Sequence, residues 1–92
     1  MTDIVRYRMC FSGRVQGVGF RYKASNVASK YCLTGYVKNE YDGTVTVEIQ
    51  GTEQNIYMFL KSMGSDRYID IYEVEKEHIS VETDEHGFIV QY

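Results

Sequence analysis

Apolar and polar residues alternate over positions 4–12, with Val5, Tyr7, Met9 and Phe11 on one side and Arg6, Arg8, Cys10 and Ser12 on the other. This two-residue period predicts a strand with one strongly apolar face. After a glycine-rich stretch the period changes. Phe20, Ala24, Val27, Ala28 and Tyr31 recur at the three-and-four spacing of a helix that buries one stripe, and Gly35 is expected to end that excursion. Residues 36–40 and 44–50 read as a hairpin, because Val45, Val47 and Ile49 alternate and Asp42-Gly43 supplies the turn. Thr52 predicts a helix N-cap with Glu53 in the first turn, Ile56, Phe59, Leu60 and Met63 on one face, and Gly64 as the stop. Residues 68–79, with Ile69, Ile71 and Val74, form another extended segment, and a polar turn at 84–87 leads to a final short strand at 88–92.

The resulting order is βαββαβ with one added terminal strand. It predicts an α/β ferredoxin-like sandwich, with two helices on one face of a mainly antiparallel sheet. The first strand and its loop should lie near the middle of that sheet, and strand 36–40 can bring Asn39 toward the loop. The 92 residues fit a single domain spanning 1–92, with 43% apolar and 25% charged residues, which is ordinary globular usage.

No apolar run approaches the roughly 20 residues that span a bilayer, and the N-terminus lacks a basic-then-apolar signal pattern. A cytoplasmic monomer without membrane contact is expected. The net charge of −3 disfavours a nucleic-acid partner. Arg6, Arg8, Arg14, Arg21 and Lys23 nevertheless gather in the first quarter of the chain, so a small anion meets local positive charge. Cys10 and Cys32 lack metal or disulfide spacing and are expected to be buried packing residues, while His78 and His86 fall in acidic, exposed sequence. No cofactor or metal site is predicted.

The stretch joining the first strand to the first helix is Gly13-Arg14-Val15-Gln16-Gly17-Val18-Gly19-Phe20-Arg21. Glycines at 13, 17 and 19 allow backbone N–H groups to turn toward one point, and the helix that follows aims its positive dipole end at the same place. Arg21 adds a rigid fork of donors suited to phosphate or carboxylate. A Walker loop is excluded by the three-residue gap between Gly13 and Gly17 and by the absence of a following lysine. A dinucleotide loop is excluded because Tyr22 stands where its third glycine belongs. A cradle for a small anion and a plain strand-to-helix turn both remain open on these residues.

This block, followed by Gly35-Tyr36-Val37-Lys38-Asn39, Asp42-Gly43-Thr44-Val45 and a terminal Phe88-x-x-x-Tyr92, resembles the acylphosphatase family in order and approximate spacing over almost the whole chain. The resemblance implies hydrolysis of the carboxyl–phosphate anhydride of a small acyl phosphate, releasing inorganic phosphate without a metal, cofactor or covalent phosphoenzyme. It also implies that the backbone N–H groups of Val15, Gln16, Gly17, Val18, Gly19 and Phe20 surround the phosphate, that Arg21 anchors it, and that Asn39 orients water. Tyr36 stands where the family commonly has Trp, and the loop after the second helix lacks a proline; both departures bear on packing and substrate fit. The competing expectation is a binding module that holds an anion without turnover or binds single-stranded RNA on its sheet. The RNA version lacks the basic-aromatic motif and the positive charge it needs.

Overall fold

The side chains of strand β1 (Ile4–Arg14) divide as the alternation predicts: Met9 and Phe11 are fully buried on one face, while Arg8 on the other is exposed. The computed structural model describes residues 3–92. Helix α1 (Phe20–Lys30) follows, then β2 (Thr34–Asn39), β3 (Val45–Thr52), α2 (Glu53–Gly64), β4 (Asp70–Ile79) and β5 (Phe88–Gln91). The sheet order is β4-β1-β3-β2-β5, with every neighbouring pair antiparallel except β2 and β5. This is the predicted βαββαβ sandwich with its extra strand.

The core lies between the helices and one face of the sheet. Met9, Phe11, Val37, Val45, Val47 and Ile49 come from the strands, Phe20, Ala24, Val27 and Ala28 from α1, and Ile56, Phe59 and Met63 from α2. Burying a side chain of Val, Ile or Phe size contributes roughly 1.5–3 kcal/mol. Because strand side chains alternate, Asn39 falls on the same face as Val37, and therefore on the helix side of the sheet. Tyr36 falls on the opposite face, away from the helices.

Several boundaries differ from the sequence reading for identifiable reasons. β1 continues to Arg14 through an irregularity between Ser12 and Gly13. α1 does not run toward Gly35: Cys32 adopts a left-handed φ of 56°, Leu33 N–H donates to the Ala28 carbonyl at 2.8 Å and Cys32 N–H to that of Ser29 at 3.2 Å. This is the Schellman closure that usually employs glycine, here made by a cysteine, which the sequence pattern does not flag. Gly35 instead sits inside β2, where a Cβ would meet the Glu48 carbonyl oxygen at 1.8 Å. Cys32 is exposed and Cys10 half-buried on the open face, so neither is the core residue expected. Thr52 does cap α2, its hydroxyl accepting from Asn55 N–H at 3.1 Å. Gly64 is the last helical residue, with Ser65 as the C-cap.

The open face carries a charged network in place of helices. Arg6, only 2% exposed, donates to Glu48 at 3.0 Å and to Glu85 at 2.7 Å. Glu48 also accepts from Arg8 at 3.0 Å and from the Tyr36 hydroxyl at 2.9 Å. Burial alone pushes the Glu48 carboxyl up, but these donors outweigh it and hold the group below the ordinary carboxylate range. Burial likewise pushes Glu85 up, and Arg6 reverses the shift. Gln50 exchanges hydrogen bonds with the Glu82 backbone at 2.9 and 2.8 Å. Residues 82–85 are thereby fastened to the sheet before the chain enters β5 beside β2.

Candidate active site

The loop between β1 and α1 is shaped by Gly17 and Gly19, whose φ values of 74° and 82° lie in the left-handed region that favours glycine. Gly19 is the N-cap of α1 and offers no capping side chain. Among the described residues, the backbone N–H groups of residues 16–20 donate to no backbone oxygen and to no side chain. A helix start ordinarily leaves several such donors, and their partial positive charge attracts an anion. Val15 and Phe20 are buried and Val18 packs against the core, so the loop is held from its inner side.

These residues open onto a cavity of about 300 Å³ lined by Val15, Gly17, Gly19, Phe20 and Arg21 from the loop and α1, by Asn39 from the end of β2, and by Val90 and Tyr92 from the C-terminal segment. Five of the predicted loop and helix positions and Asn39, which are distant in sequence, therefore share one space. Gln16 and Val18 do not line it. The Gln16 side chain turns toward the hairpin between β2 and β3, where its Nε2 donates to the Glu40 and Thr44 carbonyls at 2.8 Å each.

Arg21 is half-buried in the first turn of α1 and enters no ion pair among the described residues. Its Nη1 donates to the Gln91 carbonyl at 3.1 Å, and its guanidinium lies 4.9 Å from the centre of the Tyr92 ring. A carbonyl and an aromatic face orient the guanidinium without neutralising it. Asn39 presents a complementary feature: its side-chain oxygen is buried and has no hydrogen-bond partner among the described residues. Leaving a buried acceptor unpaired costs on the order of 1–3 kcal/mol.

The hairpin bearing Asn39 is stiff. Glu40 N–H donates to the Thr44 carbonyl at 2.8 Å, and Asp42 Oδ1 accepts from the Thr44 hydroxyl at 2.7 Å and from its N–H at 3.0 Å. The Thr44 hydroxyl, followed by its amide, holds the Asp42 carboxyl below its usual range. Gly43 supplies the predicted positive φ, at 94°.

The sequence reading missed Ser25 and Asn26, which line the cavity from α1 one turn beyond Arg21. A helical residue four positions on lies on the same face, but polar residues there read as solvated surface until the cavity is seen. It also missed the anchoring of Arg21 by Gln91, because a backbone carbonyl carries no sequence signal. No carboxylate side chain or histidine lines the cavity among the described residues, and His78 and His86 are exposed elsewhere. Among the same residues, no group of three or more His, Cys, Asp or Glu is placed to hold a metal ion. No helix is long and apolar enough to cross a membrane among them.

Comparison with known proteins extends these observations. The acylphosphatase family model matches residues 7–90. An acylphosphatase of Clostridium acetobutylicum is 40% identical over 88 residues, covering 95% of this chain and 97% of that protein. The crystal structure of acylphosphatase from Bacillus subtilis superposes with a TM-score of 0.88 at 31% identity, over 96% of this chain and 99% of that one. Full-length HypF, in its phosphate- and nucleotide-bound form, matches with a TM-score of 0.88 at 28% identity over 100% of this chain but 12% of its own. With a family match across nearly the whole chain and a relative of similar length at this identity, the chain belongs to the acylphosphatase family of hydrolases.

Proposed function

We propose that this chain hydrolyses the carboxyl–phosphate anhydride of small acyl phosphates, with the backbone N–H groups of residues 15–20 and the Arg21 guanidinium binding the phosphoryl group and Asn39 orienting the attacking water. Water adds to phosphorus, the bond from phosphorus to the acyl oxygen breaks, and carboxylate, inorganic phosphate and a proton are released. The carboxylate leaves readily as the base of an acid with a pKa near 4, so the reaction asks mainly for positioning and charge stabilisation. It draws on no metal or cofactor. The absence of carboxylate side chains and histidines from the cavity lining among the described residues fits that demand, since the lining side chains bring one cation and no anion toward a phosphate dianion.

The observation that carries this reading is that Asn39, whose buried side-chain oxygen has no hydrogen-bond partner among the described residues, lines the same cavity as Arg21 and the glycine loop. A water molecule held between that oxygen and a loop-bound phosphoryl group would satisfy the acceptor while being aimed at phosphorus. In this reading the 92 residues act as one domain, a cytoplasmic monomer. The exposed edge strand β4 carries Glu73, Glu75, Lys76 and Glu77, charges that discourage edge-to-edge pairing with another copy.

The test is hydrolysis of an aryl acyl phosphate in the presence of chelator, beside a phosphate monoester. Turnover of the anhydride with little or none of the monoester is expected. Phosphate binding without turnover of the anhydride would instead make the cavity an anion-binding module.

A further inference from the structure

We propose that the Gln16 side chain is a positioning residue, a strut that fixes the phosphate loop in register with Asn39. The inference rests on the activity proposed above but concerns a group that does not line the cavity. On the inner side of the loop, Val15, Val18 and Phe20 are tied to the core by packing. On the outer side its backbone N–H groups form no bonds among the described residues, and the positions where Cβ atoms would stand on Gly17 and Gly19 have no neighbour within 4 Å. That side of the loop is intrinsically soft.

The carboxamide of Gln16 crosses to the hairpin at this point. Its Nε2 carries two hydrogens and meets two carbonyl oxygens, those of Glu40 and Thr44, at 2.8 Å each. Glu40 follows Asn39 directly, and Thr44 precedes Val45, the cross-strand partner of Asn39. The strut thus ends one residue from Asn39 on its own strand and one residue from its partner Val45 on the other. It ends on a rigid body, because the Glu40–Thr44 backbone bond and the Asp42–Thr44 contacts already fix the turn.

Among the described residues Asn39 Oδ1 has no hydrogen bond to set its direction, so its alignment with a loop-bound phosphoryl group depends on how the two backbones are held. Misplacement of a reacting group by about 1 Å costs as much as 10²-fold in rate. Among the described residues, Gln16 makes the loop's only side-chain hydrogen bonds to that hairpin. Its contribution should therefore fall on the orientation of water and leave phosphate affinity largely intact. A side chain of equal size without N–H donors cannot make the link, and a carboxylate of the same shape would face two carbonyls with lone pairs.

The experiment compares Gln16→Met and Gln16→Glu, both close in size to glutamine, in the wild-type and Asn39→Ala backgrounds, reading kcat, KM and the Kd for inorganic phosphate. Each single variant should lose about 10–30-fold in kcat with less than about 3-fold change in phosphate Kd. Adding either to Asn39→Ala should cost no more than about 2-fold further, because the strut acts through Asn39. Near-wild-type kcat in Gln16→Met would reduce Gln16 to packing and overturn the proposal; so would a full loss repeated in the Asn39→Ala background, or a phosphate Kd that weakens in step with kcat. Should the wild type hydrolyse no acyl phosphate, the activity reading falls separately. The strut is then read from the Asn39 side-chain amide resonance during a phosphate titration: it moves in the wild type, and movement of equal size in phosphate-bound Gln16→Met contradicts the strut.

Discussion

The two faces of the sheet both gather polar groups, and they treat them in opposite ways. On the open face Arg6 and Glu48 are buried, and each finds partners within the chain: Glu48 takes donors from Arg6, Arg8 and Tyr36, and Glu85 completes the Arg6 contacts. On the helix face, the cavity is lined by Arg21, which enters no ion pair among the described residues, by Gly17, Gly19 and Phe20, whose backbone N–H groups are free among them, and by Asn39, whose buried side-chain oxygen has no partner among them. The paired set is complete in itself and fastens the connection leading into β5. In the proposed function the unpaired set is completed by a ligand that accepts from the amides and Arg21 and by a water that donates to Asn39. Buried polar groups are ordinarily hydrogen-bonded; the Thr34 hydroxyl on the open face also lacks a partner among the described residues, so what sets the helix face apart is that an unpaired acceptor, free loop amides and a cation belong to residues around one cavity.

This contrast is broken most strongly at Arg21. Replacing it by Gln should lower kcat/KM by about 10³-fold, because on the proposed mechanism the variant loses a charge-assisted donor to the phosphoryl group. Phosphate affinity should fall with it, while chemical denaturation stays near wild type. Steady-state kinetics and a phosphate titration on the same sample check both halves.

The reverse result is expected on the open face. Glu48→Ala leaves Arg6 buried with Glu85 as its remaining carboxylate and should destabilise the fold by about 3 kcal/mol, the lower end for breaking a buried ion pair. Turnover per folded molecule should stay within about 3-fold of wild type, since Glu48 lies on the opposite face of the sheet and does not line the cavity. A denaturant midpoint measured beside kcat separates the two effects.

A smaller and more gradual change follows from pH. Glu48 and Glu85 are held below the ordinary carboxylate range when folded, so they bind protons less readily in the folded state than in the unfolded one. Their contribution is present above the unfolded value of about 4.3 and is lost as pH falls through it toward the depressed folded values. Urea midpoints should therefore decline below about pH 4 and the decline should flatten in Glu48→Ala.

Much of this architecture was legible in the chain. The alternation in β1 and β3, the stripe of α1 and the Thr52 cap are local patterns with fixed periods, and the structure keeps them. The end of α1 was not legible, because Cys32 occupies the left-handed position usually marked by glycine, and Gly35 answers to a close approach of β3 that only tertiary structure creates. At the site, the glycine loop and Arg21 announce themselves by residue type, and Asn39 follows from the strand's register. The tie from Gln16 to two carbonyls, the hold of the Gln91 carbonyl on Arg21, and the approach of Ser25 and Asn26 to the cavity involve backbone groups or polar helix positions that carry no pattern of their own.

The central claim is that the unpaired oxygen of Asn39 exists for a bound water and contributes nothing to the fold. Its most direct test is Asn39→Ala, followed by kcat on an acyl phosphate, the Kd for inorganic phosphate and the denaturant midpoint. A loss of about 10²–10³-fold in kcat is predicted, with measurable phosphate binding retained and a midpoint equal to or above wild type, since the substitution removes a buried acceptor that nothing among the described residues satisfies. A variant that keeps its turnover, or that loses its stability together with its activity, would contradict the account.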